Sequence, residues 1–303
     1  MTMREAATAK IVDLFHCDER VAVVMADISL DLLRPAVEHD PRRAINVGIM
    51  EQTAVGVAAG LAIEGFHPIV HTIAPFLAER PLEQIKLDFG YQGLGGLFVS
   101  VGGSYDYGQS GATHHAPADV QGLGGIPGME VLLPGSPKET AELIGRTYAN
   151  GRPTYLRTSV VENDRDVELA PGGLTLVRRG PDATVIVAGP FLSRTLAALQ
   201  GIDATVLYAT TLVPLDQDAL AREAAAAPEV ILVEPTYEGT TAAQVAAALS
   251  HRPMRLLAIG VPRRFIHRYG TWVEHDRHLG LDTASIRQRI ESFVFSDALR
   301  SAV

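Results

Sequence analysis

Apolar runs at residues 21–26, 68–72, 96–101 and 130–133 alternate with helical stretches through the first half of this chain. That alternation predicts an α/β fold built on a mostly parallel sheet. A polar stretch at 161–180, containing Glu162-Asn-Asp-Arg-Asp166 and Pro171-Gly-Gly173, breaks the rhythm and reads as a linker. Beyond it, runs at 183–188, 204–209, 229–233 and 255–259 give four more strands with helices between, and an alanine-rich helix ends near Ala227. The expected organisation is therefore a first α/β domain at 1–160, a linker at 161–180 and a smaller α/β domain at 181–303. At 303 residues and 47% hydrophobic content, the chain can bury two cores.

The first half also holds an acid in an unusual place. Residues 44–47 read as a short strand, Gly48 as a turn, and residues 50–63 as a helix whose Ala54, Gly56, Ala58, Ala59 and Gly60 allow close backbone packing. Glu51 falls in its first turn. Taken alone, it is an acid favoured by the helix dipole. Downstream, Ser136 is a candidate N-cap, Pro137 the first helical position and Glu139 the closing member of a capping box, so a helix is expected over 137–150.

The phrase Asn46-Val-Gly-Ile-Met-Glu51-Gln52 resembles the cofactor-activating motif of the thiamine-diphosphate enzymes of the transketolase group. Further pieces follow in that family's order. Asp27-Ile-Ser-Leu30 is similar to the loop after the first strand, Thr72-Ile-Ala-Pro-Phe76 to the stretch that stacks on the cofactor's pyrimidine, and Gly108-Gln-Ser-Gly-Ala-Thr-His114-His115 to a Gly-Glu-Asp-Gly-Ala-Thr-His-Gln loop. Ile126–Pro134 with Ser136–Glu139, Val213-Pro-Leu-Asp216, and Gly260–Phe265 with Gly280-Leu-Asp282 complete a resemblance running from Asp27 to about Ile290. It implies a mostly parallel pyrimidine-binding domain followed by a smaller transketolase C-terminal domain.

The same resemblance implies the site. Asp27, Glu51, Ile73 and Phe76 would bind thiamine diphosphate. Glu51 would share a proton with the pyrimidine N1′ and favour the imino tautomer, and Phe76 would stack on the ring, with Ile73 where relatives often carry a second phenylalanine. His114 would face the substrate and relay protons, as an imidazole can at neutral pH. Ser110, His114 and Arg157 are the candidate substrate residues; Tyr105 and Tyr107 are candidates to line a larger, more apolar pocket. His71 is a weaker candidate beside the cofactor, and His115 replaces the family's glutamine.

Departures narrow the chemistry. Ser110 stands in place of an aspartate that reads a donor hydroxyl, Gly102 in place of a histidine, and Val160 in place of an arginine that grips sugar phosphate, although Arg157 remains three residues earlier. No Gly-Asp-Gly motif occurs, so the hard oxygen ligands for Mg²⁺ must come from elsewhere. The expectation is a β-type subunit of a split, transketolase-like enzyme in an α2β2 assembly, with the diphosphate and Mg²⁺ held by an α subunit. It would carry a two-carbon ketol unit from a small-molecule donor to an acceptor other than a standard sugar phosphate, such as a natural-product scaffold. The rivals are the β subunit of a 2-oxoacid or acetoin dehydrogenase, against which the Gly-Ala-Thr-His-His loop speaks, and a non-catalytic scaffolding or regulatory subunit, against which the joint presence of Glu51, Phe76 and His114 speaks.

Composition removes other classes. Thirty-five acids against 26 bases leave a net charge of −9 with no basic stripe, which argues against nucleic acid. No apolar run approaches the ~18 residues of a membrane helix, the N-terminus lacks a signal-peptide pattern, and a cytoplasmic location is expected. Cys17 is the only cysteine, so neither an intrachain disulfide nor a cysteine-based metal site is expected.

Overall fold

The computed structural model describes residues 1–295; the last eight positions of the expected second domain, 296–303, lie outside the described residues. Strands β1 (Val21–Met25), β2 (Ala44–Asn46), β3 (His67–Ile73), β4 (Gly96–Val101), β5 (Glu130–Leu132) and β6 (Pro153–Arg157) run parallel to one another. β1 and β4 are buried at every position, which is why they read as unbroken apolar runs rather than alternating ones. A second sheet contains β7 (Leu174–Pro181), β8 (Thr184–Ala188), β9 (Ala204–Ala209), β11 (Glu229–Tyr237) and β12 (Arg255–Val261), in the order β12-β11-β8-β9-β7. The molecule thus comprises two α/β domains.

Three strands depart from the expected layout. β6 falls where no strand is expected: it is buried throughout, but Pro153, Thr154 and Arg157 interrupt the apolar run that marks β1 and β4. β7 lies inside the stretch read as a linker and pairs antiparallel with β9 at the sheet edge. Its residues are mostly half-buried or exposed, so it carries no apolar run for sequence reading to find. The irregular connection is correspondingly shorter. The short β10 (Thr211–Val213) leaves the second domain and adds antiparallel to β5, making the first sheet seven-stranded in the order β10-β5-β6-β4-β3-β1-β2. Near Ala227, the helix expected to end there spans Gln217–Glu223 instead.

The helix Glu51–Ile63 lies against β3 and β1 and buries Ala54, Val55, Ala58 and Ala59. The helix Pro137–Thr147 is capped by Ser136, whose hydroxyl accepts from the Glu139 N–H at 3.3 Å. Glu139 reaches past the cap to the Gly135 N–H at 2.8 Å, so the reciprocal half of the capping box is displaced by one residue. At the N-terminus, Thr2 and Glu5 form a complete capping box on the helix Met3–Cys17.

Candidate active site

Parallel strands deliver their C-terminal ends, and the loops that follow them, to one edge of the sheet, where ligands of such folds commonly bind. Here that edge gathers Asp27 after β1, Glu51 after β2, Ile73 and Phe76 at the end of β3, and the segment from Gly102 to His115 after β4.

Glu51 occupies the first position of its helix and is 2% exposed. A carboxylate so buried needs a partner. It has one that the sequence reading missed: Arg80 donates from Nη1 to Glu51 Oε1 at 2.7 Å. The Arg80 guanidinium also lies 3.9 Å from the centroid of the Phe76 ring, a cation–π contact. Phe76 in turn meets the His114 ring edge to face at 5.1 Å, and the Tyr107 ring stands 6.4 Å beyond His114. Thr113 Oγ1 lies 2.9 Å from His114 Nδ1. Glu51, Arg80, Phe76, His114 and Tyr107 are therefore one contiguous series. The spacing of Phe76 and Arg80, four residues apart at a helix end, is the signal that would have found the arginine.

Asp27 is exposed at φ +55°. Its N–H donates to Asn46 Oδ1 at 3.1 Å, Asn46 Nδ2 donates back to Asp27 Oδ1 at 3.3 Å, and the Gly48 N–H shares the same Asn46 oxygen. Asn46 thereby ties the loop after β1 to the turn that presents Glu51. Ile73 is half-buried and immediately precedes the short helix bearing Phe76. Ser110 is exposed in the turn Gly108–Ser110.

Several candidates are placed elsewhere. Arg157 is 2% exposed, and its two terminal nitrogens donate to Asp119 Oδ1 at 2.9 Å and to the Pro235 carbonyl at 3.0 Å. It is a buried tie between the two domains, with both terminal nitrogens engaged by protein acceptors rather than turned to the cavity. Tyr105 is 2% exposed and donates to Asp276 Oδ1 at 2.5 Å, so of the two tyrosines only Tyr107 faces the site. The His115 ring packs 5.6 Å from that of His275, and burial pulls its pKa down to about 4, which leaves it neutral.

His71 is fully buried. The Val99 carbonyl, 2.9 Å away, can only accept, so Nδ1 carries the proton and Nε2 accepts from the Ser29 hydroxyl at 2.8 Å. Burial holds the ring's pKa near 4. His71 thus anchors the loop after β1 as a neutral imidazole.

Beside Tyr107 opens a cavity of about 420 Å³ lined by Arg4, Leu32, Gly102, Tyr107, Val160 and Glu162 among others. The departures noted at positions 102 and 160 meet here. Arg4 donates from Nε to Ser29 Oγ at 3.0 Å; its two terminal nitrogens have no protein acceptor among the described residues. Under the cavity, Asp106 accepts from the Ser159 hydroxyl and the Val160 N–H, both at 3.0 Å, and burial pushes its pKa up to about 7.

A buried carboxylate beside a half-buried aromatic ring fits an aminopyrimidine, which offers a hydrogen-bonding edge and a π face. No cluster of three or more His, Cys, Asp or Glu is placed to hold a metal ion among the described residues. No helix among them is long and apolar enough to cross a membrane.

Residues 1–162 match the transketolase pyrimidine-binding domain, and residues 172–286 match the transketolase C-terminal domain. A 33.6 kDa protein of the fasciation locus of Rhodococcoides fascians, itself uncharacterised, is 42% identical over 280 residues, 91% of this chain and 90% of the relative. One of the subunits of the apulose-4-phosphate transketolase of Phocaeicola vulgatus is 32% identical over 305 residues, 96% of this chain and 97% of its own. Among solved structures, a split-gene transketolase described as an inactive beta4 tetramer superposes with a TM-score of 0.84 at 24% identity, covering 97% of this chain and 98% of that one. Sequence and fold agree: the chain belongs to the transketolase family and carries that family's pyrimidine-binding and C-terminal domains in one polypeptide.

Proposed function

We propose that this chain is the β-type subunit of a split transketolase-like enzyme that transfers a two-carbon ketol unit and completes its site with a diphosphate-binding partner. The observation that carries the reading is the series Glu51–Arg80–Phe76–His114, with a buried carboxylate at one end and a half-buried imidazole at the other. When bound, thiamine diphosphate supplies the electron sink that allows a bond next to a carbonyl to break. In that setting Glu51 would hydrogen-bond the aminopyrimidine, Arg80 would hold the Glu51 carboxylate in place, Phe76 would stack on the ring, and Asp27 and Ile73 would border it. His114 moves a proton to or from the substrate hydroxyl, and Ser110 lies near enough in the same loop to contact it. The domain boundary falls in the irregular segment between β6 and β7.

Mg²⁺ and the diphosphate belong to the partner on this reading, in an α2β2 assembly in the cytoplasm. The relative from Phocaeicola vulgatus is named as one subunit of an apulose-4-phosphate transketolase. That name supports the division of labour, and the substrate it gives for that enzyme is a sugar phosphate. With Arg157 buried and position 160 a valine, Arg4 is the cation at the cavity that a phosphorylated acceptor would meet. The test is calorimetry of thiamine diphosphate and Mg²⁺ with the chain alone and after reconstitution with a diphosphate-binding partner, followed by ketol transfer from β-hydroxypyruvate. Tight, Mg²⁺-dependent binding by the chain alone would overturn the proposal; binding and transfer only after reconstitution would support it.

A further inference from the structure

Gly102 has φ +74°, and a Cβ at that position would overlap the Tyr107 ring. The ring therefore fills the space that a side chain at 102 would take, at the position the family resemblance reserves for a histidine. Tyr107 lines the cavity on one side and approaches His114 on the other.

The polar groups around the cavity are largely committed. Thr158 Oγ1 donates to the Ser100 carbonyl, Ser159 Oγ to Asp106, and Thr2 Oγ1 accepts from the Glu5 N–H. Glu162 accepts from the Met3 N–H. Leu32, Val101 and Val160 supply aliphatic wall. The Tyr107 hydroxyl has no protein partner among the described residues, and burial raises the phenol's pKa, so it stays a donor at neutral pH. Next to His114, it is an uncommitted neutral hydrogen-bonding group on a lining that also carries the Arg4 guanidinium and the Glu5 and Glu162 carboxylates.

We propose that Tyr107, filling the space a side chain at 102 would take, determines acceptor specificity by donating a hydrogen bond to a single oxygen of the acceptor aldehyde. This rests on the ketol-transfer reading above. A site built to bond one hydroxyl discriminates against the analogue lacking it because its own polar group is then left unpaired.

The experiment uses the enzyme reconstituted with its partner, β-hydroxypyruvate as donor, and lactaldehyde or propanal as acceptor. The donor loses carbon dioxide, its two-carbon unit bonds to the aldehyde carbon, and one proton is taken up on the new hydroxyl. The two acceptors differ only by the hydroxyl beside the carbonyl. The wild type should prefer lactaldehyde in kcat/KM, and Tyr107→Phe should cut that preference by about five-fold, the scale of one neutral hydrogen bond. Gly102→Ala, which displaces the ring without altering it, should lower the same ratio. An unchanged ratio in both variants overturns the inference while leaving ketol transfer standing. No transfer by the wild type to either aldehyde overturns the functional reading and the inference with it.

Discussion

Neutral His71 should make this protein acid-sensitive in a way that can be traced to one ring. Its folded pKa is about 4, set chiefly by burial, against 6.5 when free. A base with a depressed folded pKa binds fewer protons in the native state than in the unfolded one between those values, so its contribution is fully present above the free pKa and is lost as pH falls towards 4. At ~1.4 kcal/mol per unit, the window from 6.5 to about 4 holds ~3 kcal/mol, of which ~2 kcal/mol goes between pH 7 and pH 5. Protonating Nε2 would also set a charge against the Ser29 hydroxyl, which donates there, with the Arg4 cation just beyond. His71→Gln keeps an acceptor for Ser29 and removes the titrating ring. It should be less stable than wild type at pH 7 by ~1–3 kcal/mol, because the bond to Val99 and some packing are lost. Its further loss on going to pH 5 should be ~2 kcal/mol smaller. Urea unfolding of both proteins at the two pH values measures this, and the same pH dependence in wild type and variant would refute the reasoning. His115, also depressed to about 4, titrates alike in both and cancels in the difference.

Two further outcomes separate site from scaffold. Arg157→Met strands the buried Asp119 carboxylate beside Tyr155 and should lower stability by ~3–5 kcal/mol; wild-type unfolding with only a raised KM for aldose phosphates would restore Arg157 to the substrate. Glu51→Gln in the reconstituted enzyme should leave assembly intact and slow deuterium exchange at the cofactor's C2 by ~10²-fold or more, as followed by NMR. Near-normal exchange in Glu51→Ala would show that the motif has been misread.

The sequence by itself located β1 to β5 and the segments after them that bear Asp27, Glu51, Phe76 and His114, because burial on both faces writes unbroken apolar runs in strands such as β1 and β4; β6, whose Pro153, Thr154 and Arg157 break the run, was not legible. The half-exposed edge strand β7 and the three-residue β10 carry no such run, and their pairing was decided only by neighbours far along the chain. The same holds for the charged groups. Nothing in the sequence linked Arg80 to Glu51, 29 positions away, until the fold paired them, while Arg157 looked available until the fold buried it against Asp119 and Pro235, 38 and 78 positions away. Local periodicity encodes which face of an element turns inward, whereas the partner of a buried charge is fixed by which distant segments the packed core brings within hydrogen-bonding distance.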